Sequence, residues 1–433
     1  MNEVEKMAHA AKRASIGMAA ANSKVKNQAL EAIALALFAH KDEIFLENQK
    51  DLQAAVQDDL AEAILKRLRF DDKKLSAVVD GLRSLQTLDD PVGKTLKSTE
   101  LDSGLELYQV TCPIGVIGVV FESRPDALVQ ISALCLKSGN AVLMKGGKEA
   151  LYTNRILAKV IQNATKETGI PENWLELLET RTDVADMLKL DDWIDLIIPR
   201  GSNKFVKYIM HHTSIPVLGH SEGLCHVYID KDADMEKAVS VTVDAKTQNV
   251  AVCNAAETLL VHQDIAKKFL PIVARELKER NVRLIGCEKT RQIIDAEVAT
   301  EKDWATEYLD YILSIRVVPD IATALDHINT YGSGHTEVIV TENKAAVSTF
   351  MSLADSGNVF WNCSSRFSDG YRYGFGAEVG ISTNKIHARG PVGLEGLVIY
   401  KWLIKGSGQI VADYEDGRKK FTHKPMQKKF TLD

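Results

Sequence analysis

Pro113-Ile-Gly-Val-Ile-Gly-Val-Val-Phe121 and Ala141-Val-Leu-Met-Lys145 are two near-continuous apolar runs, joined by a segment that Pro125 opens and Gly139 closes. Apolar runs without polar alternation suit strands buried on both faces, and the segment between them has helical length. Strand, helix and strand in that order build a parallel sheet. Working outward, a helix over 149–169, strands at 175–178 and 194–198, a helix over 202–212, and strand candidates at 217–218 and 225–229 continue the alternation. The expected lobe is a doubly wound α/β sheet, with ligands at the C-terminal ends of its strands.

The alternation resumes further on: helices over 264–280, 320–330 and 343–355, with strands at 282–285, 337–340 and 359–361, predict a second α/β lobe. The first 90 residues are helical in pattern, and Asp71-Asp72 marks a helix start near the positive end of its dipole. Alternating segments 94–99 and 105–111 around Asp102-Ser103-Gly104 predict a hairpin with exposed edges, read either as a subunit contact or as a surface ribbon. After Asp369 the chain is rich in glycine, which suits loops passing close to a ligand or another backbone. A last strand is expected at 409–414, then a polar tail.

Composition narrows the classes. The 433 residues are 45% hydrophobic and 26% charged, with a net charge of −6. That is ordinary globular composition without the basic footprint of a nucleic-acid binder. Six cysteines are scattered without ligand or disulfide spacing, which suits a reduced, cytoplasmic protein and no metal site. No apolar run approaches the roughly 20 residues that span a bilayer. His211 and His212 are adjacent, so on a helix they diverge and make a poor chelate.

The candidate chemistry lies on loops. Lys246-Thr-Gln-Asn-Val-Ala-Val-Cys-Asn254 joins a helix near 234–244 to a strand at 257–261 and carries one thiol, Cys253. A thiol so placed is either a nucleophile or a small packed hydrophobe. Cys363, also after a strand, is its rival. Lys145-Gly146-Gly147-Lys148 follows a strand and precedes a helix, an arrangement for a phosphate or a plain turn. Arg200-Gly201-Ser202-Asn203 repeats the offer one strand later, with Ser202 placed to cap its helix. Glu378 suits a ribose hydroxyl, and Arg124 and Arg366 suit carboxylate or phosphate groups.

Taken together, PIGVIGVVFESRP…GNAVLMKGGKEA (113–150), PRGSN (199–203), VCNAAETLLV (252–261), ALDHINTYGSGHTE (324–337), NCSSRFSDG (362–370) and GAEVGIST…HARGPVGLEGL (376–397) resemble the gamma-glutamyl phosphate reductases, or glutamate-5-semialdehyde dehydrogenases, of the aldehyde dehydrogenase superfamily. The likeness is collinear over nearly the whole chain. It implies an aldehyde-dehydrogenase-like α/β fold with two doubly wound lobes and a small β oligomerisation element. The domains so expected are 1–93 with 113–230 for cofactor, 231–365 for catalysis, 366–407 closing the site, and 94–112 with 408–433 for oligomerisation.

The resemblance further implies NADPH-dependent reduction of L-glutamyl 5-phosphate to L-glutamate 5-semialdehyde in proline biosynthesis. The implied protein is a homo-oligomer, with glutamate 5-kinase as an upstream partner. It makes Cys253 the nucleophile, puts Lys145 at the adenosine ribose or phosphate and Glu378 at the nicotinamide ribose, and leaves Lys148, Gly146, Gly147, Gly201, Ser202 and Asn203 as cofactor contacts. Ser123 stands where the superfamily has its oxyanion asparagine, and Val250 where the family often has proline. The Cys253 N–H and Asn254 side chain are the expected substitutes for the oxyanion donor, and Ser123, Arg124, Ser365 and Arg366 the expected substrate contacts. Leu218-Gly-His-Ser-Glu-Gly223 holds no general base in register, Glu222 included, which suits an enzyme that discharges its thioester without water.

Overall fold

The computed structural model describes residues 1–219 and 222–431. The two apolar runs are adjacent parallel strands, Val116–Phe121 and Ala141–Lys145. Leu175–Leu178 joins beyond Ala141–Lys145, and Leu196–Arg200 lies on the opposite side of Val116–Phe121. The chain thus moves outward in one direction and then returns to the other side of its first strand. The gap between the carboxyl ends of Val116–Phe121 and Leu196–Arg200 is the switch point where such sheets hold ligands.

Helices cover both faces of this sheet, so its strands need no polar side. Val116, Val120 and Leu143 pack with Val4, Ala8 and Ala11 of the helix Glu3–Ala20. Their sequence neighbours Ile117, Val119, Val142 and Met144 point the other way, into a core with Leu30, Leu128 and Leu157. Asp71 caps the helix Asp72–Thr87 by accepting the Lys74 N–H at 3.0 Å, the start expected from Asp71-Asp72.

The second sheet is parallel, with Glu297–Val298, Arg283–Gly286, Ile312–Val318, Ala256–His262, Cys225–Ile229, Thr336–Val340 and Asn358–Trp361 in spatial order. Pattern reading passes over Ile312–Val318, which nevertheless pairs with strands on both sides. Ser314 and Arg316 break its apolar run, and only tertiary partners satisfy them. Ser314 Oγ meets the Tyr308 hydroxyl at 2.8 Å, and Arg316 donates to His327 Nδ1 at 2.7 Å.

The predicted hairpin is present as Thr95–Asp102 and Leu105–Pro113 in a small antiparallel sheet. Its exposed edges are covered by Val398–Lys405 and Lys424–Met426. This corrects the expected strand at 409–414, where a helical turn, Ala412–Glu415, stands instead. Val398-Ile-Tyr-Lys-Trp-Leu-Ile-Lys405 has the β-branched and aromatic content that a pleated surface favours, and Gly406 and Gly408 end it. The strand therefore occupies the end of the 366–407 segment, which was expected only to close the site.

Candidate active site

Two elements set the Cys253 turn. The helix Met235–Thr247, capped by Asp234, leads in, and the strand Ala256–His262 leads out. Lys246 and Glu257, both fully buried, close the ends of the turn with a 2.7 Å ion pair, and Glu257 also accepts the Leu309 N–H at 3.1 Å. Asn254 donates to the Ser368 carbonyl and Ser365 Oγ to the Asn254 carbonyl, each at 2.7 Å. Cys225 Sγ donates to the Cys253 carbonyl at 3.2 Å. Gly223 lies flat against the turn: a Cβ there would stand 2.5 Å from both Cα and Cβ of Cys253, so only glycine fits.

Three of the serine and asparagine residues expected at the site have these partners. Ser365 is fully buried, and its hydroxyl braces the turn by donating to the Asn254 carbonyl. The Asn254 amide likewise braces the turn by donating to the Ser368 carbonyl. Ser123, held at φ +45°, spends both its N–H (2.8 Å) and its hydroxyl (2.6 Å) on Glu149 Oε1. That fixes the carboxylate of Glu149 over Gly147 and leaves Ser123 no free donor for an oxyanion.

On the first lobe, a cavity of about 690 Å³ is lined by Lys145, Gly147, Lys148, Ser202, Lys204, Phe205 and Tyr208, among others. Gly146 packs beneath it, where a Cβ would meet the Asn154 amide. Ser202 occupies the N-cap position of the helix Asn203–His211, but its hydroxyl makes no cap bond, contrary to expectation, and is left to the cavity. Gly201 follows the strand end and packs on Glu122. Asn203 points elsewhere: it donates to Glu307 Oε2 at 2.6 Å, while Glu307 Oε1 accepts the Gly223 N–H at 2.9 Å. One carboxylate therefore joins the first lobe's loop to the glycine beneath Cys253. Glu307 lies in an irregular loop before Ile312–Val318, and no local pattern singles it out.

Charge converges on the thiol from both lobes. Burial pushes Cys253 up to about 12, with Glu307 and Glu378 adding to the rise and its own N–H and Arg366 opposing it. The resting thiol is thus protonated at neutral pH, and cations are what favour its anion. Arg366 is buried, with Nε on Gln248 Oε1 at 2.9 Å. Glu378 accepts the Gly370 N–H at 2.8 Å, and burial raises its carboxyl while Arg200 pulls it down. Burial lowers Arg200, at the end of its strand, while Glu378 opposes that and Arg124, Asp126 and Cys253 also bear on it. Cys363 contrasts with this: burial alone raises it. Glu222 is ion-paired with Lys207, and its neighbours His220 and Ser221 lie outside the described residues.

A match to the aldehyde dehydrogenase family covers residues 1–290. The gamma-glutamyl phosphate reductase of Acetivibrio thermocellus is 62% identical over 429 residues, 99% of this chain and 100% of that one. The crystal structure of the Thermotoga maritima gamma-glutamyl phosphate reductase superposes with a TM-score of 0.92 at 41% identity, covering 94% of this chain and 100% of that one. A glyceraldehyde-3-phosphate dehydrogenase from Methanocaldococcus jannaschii, solved in complex with NADP, shares the fold alone, at TM-score 0.63 and 18% identity over 94% of each chain. Full-length likeness at this level, with the same arrangement of lobes, places the chain among the gamma-glutamyl phosphate reductases of the aldehyde dehydrogenase family.

Proposed function

We propose that this protein reduces L-glutamyl 5-phosphate to L-glutamate 5-semialdehyde and phosphate with NADPH, as a step of proline biosynthesis in the cytoplasm. The observation that carries the reading is the Asn203–Glu307–Gly223 bridge, which joins the loop of the cofactor lobe to the glycine packed against Cys253. The 690 Å³ cavity suits a dinucleotide. It lies within the roughly 300–1,000 Å³ of small-molecule sites, and Lys145, Lys148 and the unspent Ser202 hydroxyl are donors for phosphate oxygens. Bound there, the nicotinamide supplies the hydride.

The chain's own residues do the rest. Cys253 Sγ bonds to the acyl carbon as the bond from that carbon to the phosphate oxygen breaks, and the thiol proton leaves with the phosphate. The Cys253 N–H, which already bears on its own sulfur, is the donor we assign to the developing oxyanion. Arg366 and Arg124 are the substrate's cationic contacts. Lys207 neutralises Glu222, so that carboxylate is not free to activate water against the thioester.

The test runs the reaction backwards, measuring NADP⁺ reduction by glutamate 5-semialdehyde with and without phosphate. A rate that requires phosphate is expected. An equal rate without it would assign water as the acceptor and make the protein a hydrolytic dehydrogenase. NADPH preference follows from the two lysines, and equal efficiency with NADH would remove it.

A homo-oligomer is the state we infer from the small sheet. Its edge strand Val398–Lys405 exposes Ile399, Tyr400, Trp402 and Ile404, an apolar edge that an isolated subunit would have to shield. Ile404→Lys is expected to lower the mass seen by light scattering after gel filtration. An unchanged mass would move the contact elsewhere.

A further inference from the structure

The switch point of the first sheet carries two arginines. Arg200 ends the strand Leu196–Arg200 and is in register with Phe121. Arg124 stands three residues beyond Phe121, at the start of the helix Pro125–Lys137. Neither guanidinium makes a hydrogen bond or an ion pair with any of the described residues. Of the carboxylates that bear on Arg200, Asp126 is held by Lys74 at 3.2 Å and Glu378 by the Gly370 N–H, while Glu122, packed on Gly201, stays exposed to solvent. Arg200 is also half-shielded from solvent, so its charge is poorly compensated by water. Arg124 is exposed and Arg200 partly shielded, so two guanidinium forks at one switch point are open to an anion from solvent.

The same arginine belongs to the nucleophile's surroundings. Three residues after it, Asn203 begins the bridge through Glu307 and Gly223 to Cys253, and the Cys253 sulfur is among the groups that bear on its charge. The Lys145–Lys148 cavity, by contrast, is lined by neither arginine. The cleft therefore has two separate cationic subsites, one with lysines and one with arginine forks beside the thiol.

We propose that Arg200 and Arg124, on the two sides of the switch point, form the seat of the phosphate group that leaves when Cys253 is acylated. This rests on the acyl-phosphate reading above. A dianionic phosphate offers three oxygens, and guanidinium forks hold such groups with paired, charge-assisted hydrogen bonds. As the carbon–sulfur bond forms and the carbon–oxygen bond breaks, the electron pair of that bond stays on the phosphate oxygen. Cations seated there stabilise the charge where it develops. In reverse, the same seat holds inorganic phosphate for attack on the thioester. A pyrophosphate from the cofactor has similar chemistry, and the experiment separates the two sources.

The probe is inorganic phosphate, and the readout is the rate at which iodoacetamide alkylates Cys253, followed by mass spectrometry of its peptide. Phosphate should slow alkylation of the native protein. In Arg200→Met the phosphate concentration for half-protection should rise at least tenfold, with a smaller rise in Arg200→Lys, which keeps a point charge. The NADPH dissociation constant, from nicotinamide fluorescence, should stay within twofold. A tenfold weaker NADPH with unchanged phosphate protection would give Arg200 to the cofactor and overturn the proposal. If Arg200→Met does not fold, Arg124→Met carries the same expectations. Loss of phosphate-dependent turnover in the native protein would sink the acyl-phosphate reading itself. A phosphate-dependent native enzyme whose arginine variants keep the native phosphate response would sink only this assignment.

Discussion

Cys253→Ala is expected to abolish turnover, by about 10⁴-fold or more, because a covalent step has no substitute once its nucleophile is gone. The protein should still fold and bind NADPH, since alanine removes only a sulfur from a turn held by the contacts of Gly223, Asn254 and Ser365. Cys363→Ala should stay within about threefold of the native rate, as expected for a half-buried change that removes no charged or hydrogen-bonded partner of Cys253. The two thiols look alike in sequence, each on a loop beside a strand. Their surroundings differ: Glu307, Glu378, Arg366 and Arg200 act on Cys253, and only burial acts on Cys363. Steady-state rates of both variants decide it, and loss of activity in Cys363→Ala alone would transfer the mechanism to that residue.

Lys246→Met is expected to cost about 3–5 kcal/mol of stability, because it strands Glu257 in a site with no access to water. The loss should depend on pH in a direction that can be worked out. Burial pushes the Glu257 carboxyl up to about 7 from an ordinary 4.5, with Lys246 as the main opposing influence. A carboxyl whose folded pKa lies above its unfolded one binds protons more tightly when folded. Stability therefore falls as pH rises from about 4.5 through 7. Without Lys246 the carboxyl rises further, so the variant should lose more at pH 8 than at pH 5.5. Chemical denaturation at the two pH values measures this, and Lys246→Met/Glu257→Gln should recover much of the loss. An equal loss at both pH values would show that the pair's charge is not what holds the turn.

Several features were readable locally because they depend on residues near one another in the chain. The runs 113–121 and 141–145 became central strands, since a strand covered on both faces has no polar side to break its pattern. Asp71 became a cap because its acceptor lies three residues from the N–H it satisfies. Where such a rule competed with a distant partner, local reading failed. Ser202 is a good cap by type, yet its hydroxyl is left to the cavity. Ile312–Val318 has no local strand pattern because Ser314 and Arg316 interrupt it, and only Tyr308 and His327, brought beside them by folding, satisfy those groups.

The sequence by itself determined the fold class, the two α/β lobes with a hairpin ahead of the first sheet, and the family, since apolar periodicity and collinear motifs are properties of the chain order. Only the tertiary structure decided which polar groups are spent and which remain. It committed Ser123 to Glu149 and Ser365 to the Asn254 carbonyl, and brought Glu307 from a featureless loop to join Asn203 with Gly223. It also left Arg200 and Arg124 without a partner among the described residues. A hydrogen bond depends on positions within about 3 Å, and residues more than 80 apart in the chain reach that distance only when the sheets have packed.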